Sequence, residues 1–165
     1  MRFRLALIAV IGLLPGAALP PAATLQSVFE CLLGLQAARA ATEPLVAVKE
    51  IDRSQPPGDK IVRYFDPPAG LTVFGLTPGS IASGESFADT YRRVMIVTIV
   101  QARFETVEAA VLAAHGLNSC PRRMTGGQQG CEIFYHEDQP EQRRLMLLAS
   151  GDVVSIACAY TPDAD

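Results

Sequence analysis

The chain has 165 residues, four cysteines and a net charge of -3, and 49% of its residues are hydrophobic. A mildly acidic balance excludes a nucleic-acid binder, which needs a basic footprint. The length suits one domain with a real core, and no composition break, internal repeat or low-complexity tract divides it.

The N-terminus reads MRFRLALIAVIGLLPGAALPPAATLQ. Arg2 and Arg4 precede an uncharged run, Leu5 to Leu14, and then small residues and prolines. That order predicts a secretory signal peptide over 1–23, cleaved between 18 and 23, ahead of one globular domain over 24–165. The apolar run is about half the ~20 residues a spanning helix needs. Val28, Phe29 and Glu30 precede Cys31, where a lipid anchor would have small residues, so no stable membrane anchor is expected after cleavage. Lys49 and Lys60 are the only lysines among many Ala, Gly and Pro residues, as in a GC-rich bacterial gene. Export from such a cell leads to the periplasm or the exterior, and both permit disulfides.

Leu25, Val28, Phe29, Leu32 and Leu35 fall at helical spacing and predict one amphipathic helix over 24–41, weakened at Gly34. PLVAVKEI reads as an edge strand and SQPPGD as a turn. KIVRYF and LTVFGL, on either side of DPPAG, read as a hairpin. Residues 77–85 read as a loop, and the capping-box spacing of Ser86 and Asp89 suggests a helical turn over 87–92. Val94 to Val100, apolar except for Thr98, predicts a central strand buried on both faces. FETVEAAVLAAH, with early acids and Gly116 as its cap, predicts a helix over 104–115. CEIFYHE, RRLMLLAS and VVSIACAY read as three antiparallel strands, the last two joined at Gly151-Asp152, with Val154, Ile156, Cys158 and Tyr160 on one face.

These elements predict an α+β domain. Its sheet is mostly antiparallel, of about five to six strands, with the N-terminal and central helices packed on one face and two disulfides. Three pairings of four cysteines exist. Cys120 with Cys131 closes a short loop, and Cys31 with Cys158 pins the first helix to the last strand. His115, Cys120, Cys131 and His136 form a symmetric array of zinc-capable side chains. Their spacing lacks the close ligand pairs of tetrahedral sites, and thiolate ligation competes with oxidation, so no metal or other cofactor is expected.

Catalytic signatures are equally sparse. There is no nucleophile elbow, no S-x-x-K, no H-E-x-x-H and no C-x-x-C. The expected function is therefore a non-catalytic binding or interaction module in the periplasm, with an envelope protein or a small ligand as partner. Arg122, Arg123, Gln128 and Gln129 in the Cys120–Cys131 loop are the candidate contacts, since Gly126-Gly127 beside the arginines presents backbone N–H groups. Residues 77–86 form a second candidate surface. The alternatives are an envelope assembly factor, or a small hydrolase assembled from His115, His136, Ser83, Ser86 and Glu85.

Overall fold

The computed structural model describes residues 22–55, 58–88, 91–125, 128–135 and 142–161. In chain order these form α1 (Ala22–Phe29), α2 (Leu35–Thr42), β1 (Lys49–Gln55), β2 (Gly58–Phe65), β3 (Ser80–Ala88), β4 (Tyr91–Gln101), α3 (Phe104–His115), β5 (Arg122–Thr125), β6 (Gln128–Tyr135), β7 (Gln142–Ser150) and β8 (Val153–Thr161). All eight strands join one sheet in the order β1-β2-β3-β4-β8-β7-β6-β5, and every pairing is antiparallel. The expected α+β class, antiparallel sheet and one-sided helix layer are present, with eight strands in place of five or six. Two four-stranded meanders, β1–β4 and β5–β8, are linked by α3 and meet where β4 pairs with β8.

The core lies between the helices and one face of this sheet. Leu25, Val28 and Phe29 of α1 and Phe104, Val107 and Val111 of α3 join one buried cluster with Ile81, Ile96, Leu145, Leu147, Ile156, Cys158 and Tyr160. Along β4 the even-numbered residues Val94, Ile96, Thr98 and Val100 are buried, while Met95, Val97 and Ile99 are only half-buried. The strand is central, as its β-branched run implies, but among the described residues helices cover only one of its faces.

The predicted first helix is two. Cys31 adopts φ +62, Leu32 N–H donates to Ser27 O at 2.9 Å and Cys31 N–H to Val28 O at 3.1 Å. This is a Schellman termination, and α3 ends the same way at Gly116, whose φ is +64. A residue other than glycine in this region costs about 1–2 kcal/mol, so Cys31 needs outside support. It has it in a disulfide to Cys158, at a Cα–Cα separation of 5.3 Å. Two residues along β8 on the same face, Tyr160 Oη donates to Leu33 O at 2.9 Å. The second bridge joins Cys120 to Cys131, so the structure contains both expected pairings.

Two other segments differ from the sequence expectation. β2 pairs with β1 and not with LTVFGL. The latter folds into a tight turn in which Val73 and Leu76 exchange backbone hydrogen bonds of 2.9 and 3.0 Å around Phe74 and Gly75, both at positive φ. Glu30 Oε1 accepts from Phe74 N–H at 2.7 Å and ties this turn to the end of α1. Residues 80–88, expected as loop and helix start, form β3, and Ser86 pairs with Arg93 in the ladder. Ladders on both sides, to β2 and β4, override the weak strand preference of Ser, Gly and Ala there.

In the chain-entropy model the Cys31–Cys158 bridge, with a sequence separation of 127, contributes roughly 4–5 kcal/mol, and Cys120–Cys131, with a separation of 11, about 3 kcal/mol. Urea unfolding of the Cys31→Ser/Cys158→Ser and Cys120→Ser/Cys131→Ser proteins is expected to show the larger loss for the first pair.

Candidate functional site

The helix layer is uneven. α1 packs on β4 and β8, and α3 on β7 and β8. The buried side of α2, made by Leu35, Ala38 and Ala41, packs with α1 in the same cluster. Between α2 and strands β2–β4 the helix-side face of the sheet is left open as a cleft of about 790 Å³. Its floor is apolar, with Phe65, Val94 and Ile96 buried and Ile61 half-buried. Its walls carry Arg39 and Glu43 from α2 and its end, and Arg63, Ser83 and Glu85 from the strands. One ion pair spans it: Arg39 Nη2 donates to Glu85 Oε1 at 2.7 Å. Each of these two side chains retains about a third of its exposure. Arg63 is turned to the sheet edge, where Nε donates to Glu50 Oε2 at 2.7 Å. The lining holds two guanidinium groups and two carboxylates, so it is charged but balanced.

The expected loop over 120–131 is a hairpin of β5 and β6, in which Arg122 pairs with Cys131, Arg123 with Gly130 and Thr125 with Gln128. Arg122 lies over the Phe104 ring, 5.3 Å from its centroid, and donates to Glu108 Oε2 at 2.7 Å. Its cation is committed to α3. Gln129 lines a shallower hollow of about 480 Å³ between the start of α3 and the β7–β8 turn, with Arg103, Phe104 and Asp152. The side chains of Arg123 and Gln128, together with Gly126 and Gly127, lie outside the described residues. The four loop residues therefore do not converge on one surface among the described residues.

The hydrolase candidates separate in the same way. Ser83 and Glu85 line the large cleft, whereas His115 sits at the end of α3 against Phe74, with ring centroids 5.5 Å apart. Glu85 is held by Arg39, and no histidine lines the cleft among the described residues. His136 and the side chain of Ser86 fall outside the described residues. Cys120 and Cys131 are bonded to each other, which removes both thiolates from the zinc-capable array.

Residues 77–86 were the better indication of the site, although for a different reason. They are a strand, not a loop, but Ser83, Gly84 and Glu85 within them line the cleft. The rest of the lining comes from α2, residues 43–47, β2 and β4, and no short motif links these segments. Comparison with protein-family models, curated proteins and solved structures returns no match, so no role passes to these residues from a relative.

Partial burial lowers the pKa of His115 below its ordinary value of 6.5, and the nearby Glu30 carboxylate opposes that shift. A folded pKa below the unfolded one favours the neutral ring. Its contribution to stability is complete above 6.5 and is lost as pH falls through the lowered folded value. NMR titration is expected to place the His115 midpoint below 6.5, and Glu30→Gln to move it further down.

Proposed function

We propose that the protein is an exported, disulfide-stapled binding module and that its ligand enters the cleft between α2 and strands β2–β4. The observation that carries this reading is the cleft itself. It is an opening of about 790 Å³ with an apolar floor and polar walls, of the size and make-up that suit a small molecule or a short partner segment. The Cys31–Cys158 disulfide ties the α1–α2 corner beside the cleft to β8, and binding residues are commonly positioned by such a rigid scaffold. A non-catalytic role is supported by Ser83, the cleft's hydroxyl on a strand, which has no histidine beside it in the lining among the described residues.

Export is supported by the order of the N-terminal segment, two arginines, an apolar run and then small residues and prolines, and by disulfides that persist only in an oxidising compartment. No helix among the described residues is long and apolar enough to cross a membrane. The periplasm of a bacterial cell is the compartment that combines these features. The partner is an envelope protein or a small molecule available there.

Both halves of the reading are testable. Expressed with its own leader in a bacterium, the chain is expected in the periplasmic fraction, with an N-terminus at residues 19–24 by sequencing. A cytoplasmic, full-length product contradicts export. For the cleft, the fluorescent probe 1-anilinonaphthalene-8-sulfonate is expected to bind saturably. Ser83→Trp, which fills the opening, is expected to weaken that binding by about 10-fold, while Leu117→Ser on the exposed far end of α3 leaves it unchanged. Equal affinity in the Ser83→Trp protein, shown folded by circular dichroism, removes the cleft as the site.

A further inference from the structure

The second face of the sheet is covered by no described helix. Its side chains are not arranged at random. On β4 they are large, Met95, Val97 and Ile99, and stand half-exposed. On β8 they are small, and Ala157 and Ala159 lie fully buried between their neighbours. β7 is large again, with Met146 and Leu148, and β3 small, with Ala82 and Gly84. Across the order β3-β4-β8-β7 the surface therefore runs furrow, ridge, furrow, ridge. One strand further out, β2 carries Val62 and Tyr64, and β6 carries Gly130 followed by Glu132, which pairs with Met146.

This pattern is antisymmetric about the β4–β8 seam. A two-fold axis lying in the plane of contact, parallel to the strands and along that seam, places β4 of one copy over β8 of the other and β3 over β7. The ridges of β4 and β7 then meet the partner's furrows at β8 and β3. A two-fold axis at right angles to the strands would stack ridge on ridge. We infer that this face pairs with a second copy of the chain, Val97 of each protomer seating over Ala157 of its partner, to give an isologous dimer with the two sheets packed face to face.

The size and chemistry of the face agree with that occupant. Six strands spaced about 4.8 Å apart over about 20 Å of length present roughly 600 Å² in plan, before side-chain relief is counted, near the ~800 Å² per partner of a standard stable interface. The stretch from Met95 to Ile99 and the facing alanines of β8 are uncharged; around it the same face carries Arg93 beside Met95 and the Arg144–Glu132 pair, in which Arg144 Nη1 donates to Glu132 Oε1 at 3.1 Å. An apolar, methionine-bearing centre with charge at its rim is the usual make-up of such a contact. The cleft opens on the opposite, helix-bearing side of the sheet, so pairing leaves it accessible and the two readings fail independently.

Sedimentation velocity on the mature, oxidised chain from about 1 to about 100 µM is expected to show a monomer–dimer equilibrium. Val97→Arg, which sets a charge on the ridge facing the partner's alanines, is expected to raise the dissociation constant at least about 100-fold. Should Val97→Arg fail to fold, peroxide oxidation of the unmodified chain serves instead, with Met95 and Met146 oxidised more slowly at the dimeric concentrations than at the monomeric ones. A chain monomeric throughout the range, a folded Val97→Arg protein that dimerises as before, or methionine oxidation independent of concentration overturns the proposal.

Discussion

The helix layer depends on a single covalent contact at the middle of the sheet. Cys31 sits where α1 stops, in a left-handed backbone conformation that a cysteine adopts only at a cost, and its sulfur is bonded to Cys158 on β8. β8 is one of the two strands at which the meanders join. The bridge and the Tyr160–Leu33 hydrogen bond hold the α1–α2 corner from the same face of that strand. α2, which has its main packing with α1, is thereby suspended beside β2–β4 and not pressed onto them. The cleft is the space this suspension leaves, and the Arg39–Glu85 pair bonds across it. An exposed pair of this kind contributes under about 1 kcal/mol, so the covalent and apolar contacts set the geometry.

The two faces of the sheet divide the chemistry. The helix-bearing face holds the large core, the crosslink of α1 and the cleft. The other face carries a simple alternation of large and small residues that needs no cofactor and no ligand to explain its order, only a surface of complementary relief. The sequence periodicity is the same in both cases, because a strand shows every second residue to each side. What differs is the cover: helices on one side, and on the proposed reading a second protomer on the other.

Features set by local chemistry were legible in the sequence. α3 declares itself by its acidic start, its small apolar stripe and Gly116. β4 is marked by its β-branched run, and the β7–β8 turn by Gly151, at φ +62. The two pairings followed from an even cysteine count and from where the elements lie. Features set by distant partners were not legible. Gly34 marked a weak point and is the N-cap of α2, but the left-handed turn itself falls on Cys31, where no glycine signals it, and is supported from residue 158. β3 is built of Ser, Ala and Gly and is a strand because β2 and β4 flank it. The cleft draws its lining from four separate stretches of chain, so only their packing brings Arg39 to Glu85. Arg122 illustrates the opposite error: an arginine in a glycine-rich loop reads as a free ligand-binding cation, but Phe104 and Glu108 on α3 occupy it.

In the oxidised chain the Cys31–Cys158 bond acts as a local clamp on the α1–α2 layer. Hydrogen exchange measured residue by residue on the oxidised chain and on its Cys31→Ser/Cys158→Ser form tests this directly. Amides of α1 and α2 are expected to lose more protection than those of α3 and of the β4–β8 seam, which fall only by the loss in global stability. Equal losses in α1, α2 and the β4–β8 seam, or α1 and α2 protected as before, would rule out the local clamp.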